Sequence, residues 1–268
     1  MPRKWKMPVL APGASAAVAF EAAVRASIEH VHWHRPGALA RRDPECLHQV
    51  RVGLRRLRVA LRSFRGLARR GRADRFDERI ARSLRRLGPA RDWDVLQARV
   101  ALNARAKSLH EAAWRRAEAE LGSAGILRLL DEVLAWAQSQ PWRARGRPGE
   151  PVREFGQAVL RRLARGLEHA AREADWTRER DRHRLRIRAK RLRYAEDFLG
   201  EPGGSDLAST LRPLQEALGD LRDLSVQRKL LAEAGMRAPR EGKVRRGLLR
   251  RVERAWSRYE AARAAVRA

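Results

Sequence analysis

Apolar residues recur at intervals of three and four along most of this 268-residue chain, while the every-second-residue alternation that marks strands is almost absent. With Gly and Pro as punctuation, the pattern predicts an all-α protein. Its helices are expected over roughly 14–33, 44–69, 74–87, 92–121, 124–139, 151–173, 178–199, 206–218, 220–234 and 241–266. Asp43-Pro44 provides an N-cap and a proline at the first helical position. Breaks or kinks are expected at Gly88-Pro89 and at Gly219. The stretch PWRARGRPGEP, 141 to 151, is rich in Pro and Gly and reads as the linker, taken as 141–150, near the middle of the chain.

The segments on either side of that linker repeat one another. Residues 48 to 64 read HQVRVGLRRLRVALRSF, and residues 183 to 199 read HRLRIRAKRLRYAEDFL. Each is followed by a second shared motif, LRRLGPARDWDVL at 84 to 96 and LQEALGDLRDLSV at 214 to 226. Two motifs in one order at nearly equal offset point to an internal duplication. The expected architecture is two helical bundles of four-helix type related by a pseudo-twofold axis, one over 10–140 and the other over 150–262.

On a helical wheel, His48, Arg51, Arg55, Arg58 and Arg62 share a stripe about 80° wide. The main apolar face, Val50, Leu54, Leu57, Leu61 and Phe64, lies on one side of it, and Val52 and Val59 lie on the other. The second copy repeats the plan with His183, Arg186, Lys190 and Arg193, and Asp197 stands at the place of Arg62. A solvated charged face normally lies opposite the apolar face, whereas these cations are hemmed in on both sides. Such crowding is poorly screened within a Debye length of about 8 Å and calls for compensation. Asp92, Asp94 and Asp223 of the second motif are the natural internal partners, with Arg91 and Arg222 beside them. Three carboxylates against nine cationic or His positions leave an excess that an anionic ligand would neutralise.

Overall charge agrees without deciding the matter. Lys and Arg outnumber Asp and Glu by 60 to 32, a formal charge of +28, so a polyanionic partner is expected. Only six of the basic residues are Lys, which also fits a coding bias towards Arg. One cysteine, Cys46, excludes an intramolecular disulfide framework and is expected to pack in the interior. The N-terminus lacks a continuous apolar stretch, so neither a signal peptide nor membrane contact is expected, and the cytoplasm is the simplest location.

The pair of H-x-x-R-x-x-x-[RK]-R-L-R helices, each followed by L-G-x-x-R-D, resembles the CHAD family, the conserved-histidine α-helical domains. The resemblance covers roughly 10 to 262, with 1–262 read as one such domain. It implies two pseudo-symmetric bundles, a basic groove between them that binds inorganic polyphosphate, and association with polyphosphate granules. It carries over onto His48, Arg51, Arg55 and Arg58 in one half, and onto His183, Arg186, Lys190 and Arg193 in the other; Arg62 rests on the wheel alone. No catalytic residue, metal or cofactor is implied.

Two other readings compete. Non-specific nucleic-acid binding follows from charge alone, but the eight Trp are scattered singly and none lies on the stripes, so they read as core fillers rather than stacking platforms. A metal-dependent phosphohydrolase would need a cation beside His48 or His183, where the neighbouring arginines oppose one. His30, His32 and His34 read as a polar helix end, and His110 and His169 as surface residues. The closing segment, 241 to 268, reads as a basic amphipathic helix packed on the second bundle.

Overall fold

The computed structural model describes residues 5–68, 70–143, 146–200 and 207–265, the side chains at 70, 207–209 and 265 excepted. Predicted helix ends at 69, 206 and 266 and linker positions 144–145 lie outside the described residues. Those residues form nine α-helices and one 3-10 turn, Phe64–Gly66, with two isolated bridges and no strand. They divide into two compact units, 1–155 and 156–268.

The first unit holds α1 (Ala16–Ala40), α2 (Pro44–Ser63), α3 (Arg70–Gln97), α4 (Ala104–Gly122) and α5 (Ala124–Gln138). Asp43 caps α2 as its sequence requires, its carboxylate accepting from the backbone N–H of Glu45 at 2.8 Å and of Cys46 at 3.2 Å. Gly53 lets α2 lie directly on α1: a Cβ there would stand 2.7 Å from Val31 Cγ2 and 3.0 Å from the Ser27 carbonyl. The same contact buries His30 and His34, whose rings are 4.6 Å apart, and His30 Nε2 donates to Gln49 Oε1 at 3.0 Å. These two histidines are interior groups between helices, not the polar helix end that their spacing suggested; α1 runs seven residues past its expected end at 33.

An aromatic cluster centres on Phe20, which meets Phe64, Trp136 and Trp142. The predicted linker is tied to this unit, with Arg143 N–H donating to the Leu67 carbonyl at 2.8 Å and Ala16 N–H donating to the Glu150 carbonyl at 2.8 Å. Cys46 is buried, as expected.

The second unit is made from α6 (Val152–Arg172, whose first turn belongs to the first unit), α7 (Glu179–Leu199), α8 (Leu207–Glu233) and α9 (Gly242–Ala265). Leu167, Leu185, Leu192, Leu214, Leu218 and Tyr259 form its core. Gln215 Nε2 donates to the Ala189 carbonyl at 3.1 Å, pinning α8 to α7. The closing helix packs through Leu248, Val252, Ala255 and Tyr259.

Three expected boundaries are corrected. Helix α3 runs unbroken through Gly88-Pro89, because the buried side chains of Leu87, Ala90 and Trp93 on either side outweigh the proline's cost of about 3 kcal/mol. Helix α8 likewise runs through Gly219. The single helix expected over 92–121 is instead two: α3 ends at Gln97, and Asn103 caps α4 by accepting from Ala106 N–H at 2.8 Å. Among the described residues, no helix is long and apolar enough to cross a membrane.

Candidate anion-binding site

Helices α2 and α3 form an antiparallel hairpin, and its register decides which side chains meet. Arg51 Nη1 donates to the Leu84 carbonyl at 3.1 Å; seven residues later on α2, and seven earlier on α3, Arg58 meets Asp77. Arg58 grips that carboxylate with two bonds, 2.8 and 3.2 Å, and Arg62 adds a third at 2.6 Å. Burial pushes the Asp77 carboxyl up, but the hydrogen bonds from Arg58 and Arg62 outweigh it and hold the group below the usual carboxylate range. Asp77 is the internal counter-ion that sequence reasoning missed. Seven residues before Leu84 on α3, it sits where the hairpin register brings Arg58, a relation that becomes visible only once the pairing of the two helices is known.

Asp94, named as a partner for the arginines, does other work. Its buried carboxylate accepts from Trp114 Nε1 and His110 Nε2, each at 2.8 Å, and so ties α3 to α4. His110 is therefore a half-buried packing group rather than the surface residue its neighbours suggested. Asp92 and Asp223 are half-buried, as are Arg91 and Arg222.

The first-unit stripe is brought together at its N-terminal end. His48 is pushed down to about 4, by burial first, then by the positive field of Arg91, with smaller contributions from Arg55 and Arg51. A neutral imidazole thus marks the point where cations from α2 and α3 converge. The second unit makes a more open version of this juxtaposition: His183 is exposed, and its partial desolvation, with Arg186 of α7 and Arg222 of α8, lowers it. In both units the histidine of the first motif meets the arginine of the second. Lys190 and Arg193 follow along α7, half-buried, with the Arg193 guanidinium 5.0 Å from the Tyr194 ring centre.

Beyond that point the units differ. The matching offset to Asp77 is Ala208, and Asp197 replaces Arg62. An open pocket of about 510 Å³ adjoins His183, Arg186 and Arg222 and is also lined by Arg180 and Lys229, two cations that the sequence stripe did not include. Among the described residues, no group of three or more His, Cys, Asp or Glu is placed to hold a metal ion. Such a site offers hydrogen-bond donors and positive charge to an anion.

Comparison with known proteins identifies the family and the fold. The CHAD domain family model matches residues 22–232, and the chain belongs to that family. A crystal structure of the CHAD domain from the plant Ricinus communis is 26% identical, with a TM-score of 0.76, over 100% of this chain and 97% of that one. PptA from Streptomyces chartreusis shares the fold, at 18% identity and a TM-score of 0.66, over 93% of this chain and 99% of that one. An uncharacterized protein of Mycobacterium tuberculosis (strain CDC 1551 / Oshkosh) is 27% identical over 219 residues, 74% of this chain. The match spans 42% of that relative's length.

Proposed function

We propose that this protein binds inorganic polyphosphate without turning it over, through the cation rows of α2 and α7, and that it associates with polyphosphate granules in the cytoplasm. The observation that carries the reading is the twice-built cluster of a histidine beside two arginines from different helices, His48 with Arg51 and Arg91, and His183 with Arg186 and Arg222. Polyphosphate is a flexible run of closely spaced charges with no bases to stack, so it requires donors in a row and little else. The row residues are His48, Arg51, Arg55, Arg58, Arg62, His183, Arg186, Lys190 and Arg193, with Arg91, Asp92, Arg222 and Asp223 supporting them. In this reading the repeated clusters descend from an internal duplication, one half over 10–140 and the other over 150–262.

Nucleic acid is the weaker partner for a physical reason. Trp93, Trp114 and Trp136 are buried, Trp142 packs on Phe20, and Trp176 packs against Trp256, so these rings are engaged in packing; Trp33, 60% exposed on α1, departs from the expected core role but does not lie on the cation rows.

Thermal unfolding with long-chain polyphosphate, orthophosphate and a single-stranded oligonucleotide tests the reading. Polyphosphate at about 100 times its dissociation constant should stabilise the fold by about 2.7 kcal/mol. An Arg51→Ala, Arg186→Ala double variant should lose most of that gain while keeping its helical circular dichroism. About six neutralised phosphates correspond to a log K against log salt slope of about −4. Equal stabilisation by the oligonucleotide, a flat salt dependence, or phosphate release from the polymer would overturn it.

A further inference from the structure

The two histidine clusters are not equivalent, and the difference lies in what surrounds them. Aligning the shared motifs sets Asp43, Glu45, Asp94 and Ala98 of the first unit against Arg178, Arg180, Ser225 and Lys229 of the second. Three acids are replaced by two arginines and a hydroxyl, and an alanine becomes a lysine. Changes in the other direction are Pro44 to Glu179, Leu61 to Glu196, Arg62 to Asp197, Arg85 to Glu216 and Pro89 to Asp220, and of these Glu179 alone is among the described residues that line the pocket.

Each exchange has a structural counterpart. In the first unit the Asp43 carboxylate occupies the first backbone N–H groups of α2, whereas Arg178, at the start of α7, makes no side-chain cap and pairs with Asp175 at 3.0 Å. The N-terminus of α7 therefore carries no capping carboxylate, and Glu179 and Asp181 in its first turn are the acids that face its dipole. Asp94 joins α3 to α4 through His110 and Trp114; Ser225 instead lines the 510 Å³ pocket with His183, Arg186, Arg222, Arg180 and Lys229. Glu179 is the single carboxylate among the described lining residues, and Leu218 and Leu221 form a dry floor that weakens screening of the charges above it.

We infer that this second-unit pocket is a discrete receptor for a short linear oligophosphate, about three phosphates long, presented as the end of a polyphosphate chain or as the tail of a nucleoside triphosphate. The inference rests on the anion-binding reading of His183, Arg186 and Arg222 and adds a shape to it. The rows accept the middle of a polymer at any register. The pocket, lined on one side by the first turn of α7, gathers its cations at one place and so suits a terminus. Its volume lies within the range of small-molecule sites, about 300–1,000 Å³. The first unit cannot serve in the same way, because Glu45 and Asp94 hold negative charge at the matching places.

Isothermal titration with inorganic triphosphate, ATP and long-chain polyphosphate tests this on the wild type, on Ser225→Asp and on Lys229→Ala. Triphosphate should bind once per chain. Ser225→Asp, which installs the first unit's acid, should weaken triphosphate at least tenfold while long-chain polyphosphate stays within about threefold, and Lys229→Ala should follow in the same direction. ATP binding within tenfold of triphosphate identifies a nucleotide tail as an accepted source; ATP binding weaker than that identifies the free chain end. Two triphosphates per chain, or an unchanged affinity in Ser225→Asp, overturns the inference. Long-chain polyphosphate binding without triphosphate binding also overturns it but leaves the proposed function standing, whereas no binding of either ligand removes both.

Discussion

Arg51 rests against the backbone of α3 at the one point where Gly88 presents no side chain: a Cβ there would stand 3.3 Å from Arg51 Nη1. Gly219 occupies the same place in the second motif, yet a Cβ there would meet nothing within 4 Å. One conserved-looking motif residue thus has two different local meanings.

Substituting the two glycines separates those meanings. Gly219→Ala should stabilise the protein by about 0.5–1 kcal/mol, because alanine restricts the unfolded chain and favours the helix. Gly88→Ala should gain less than Gly219→Ala, since Arg51 must give way, and should weaken polyphosphate binding several-fold. Urea unfolding and a binding titration on both variants check the pair.

Asp77 gathers Arg58 and Arg62 through three hydrogen bonds. Asp77→Asn should lower stability by about 1–3 kcal/mol by removing charge-assisted acceptors from half-buried guanidinium groups. Saturating polyphosphate should shrink that deficit by supplying replacement acceptors. The carboxyl of Asp77 is held below its unfolded value, so its contribution is present above the unfolded pKa and fades as pH falls through the lower folded value. Acid unfolding of the wild type should therefore show a component absent from Asp77→Asn.

The depressed pKa of His48, about 4 against an ordinary 6.5, gives a second pH dependence of opposite origin. Between these values the unfolded chain binds a proton that the folded, unliganded protein refuses, so stability falls as pH drops from about 6.5 towards 4. A bound polyanion offsets the field of Arg91, Arg55 and Arg51 and raises the folded pKa. Proton uptake on binding should follow, with affinity rising from pH 7 to pH 5. Calorimetry in two buffers of different ionisation enthalpy measures the uptake, and His48→Gln should reduce it.

Arg42, between α1 and α2, has a positive φ of 47° and is gripped by Glu111 and Glu118 through four hydrogen bonds of 2.6 to 3.0 Å. Arg42→Ala should lower stability modestly, and less so in high salt because all three groups are partly exposed. Arg42→Gly should recover part of that loss, since glycine adopts this backbone conformation without strain. Unfolding midpoints at low and high salt rank the two variants.

Helix content and the start of α2 were legible in the sequence because periodicity and capping are local. The start of α2 at Asp43-Pro44 rests on one side chain and its own neighbours. Properties set by how helices meet were not legible. Pro89 survives within α3 because packing holds it there, and the 98–103 interruption carries no Gly or Pro to announce it. His30 and His34 look polar in isolation and are interior only because Gly53 brings α2 against them. Along one helix the wheel placed the cations, but the partner of Arg58 lies across a hairpin, where only the register between α2 and α3 identifies Asp77.

The close seat of Gly53 on Val31 has a final consequence. With its backbone seated closely against α1, α2 has little room to shift towards its neighbour, and the backbone positions that carry its arginines follow a helical pitch of about 5.4 Å per turn. All compliance must come from the guest. A limp inorganic polymer can bend to follow a rigid ladder, while duplex DNA, stiff over about 50 nm, can meet it only tangentially. In the proposed binding, mechanical mismatch as much as chemistry would sort one polyanion from another.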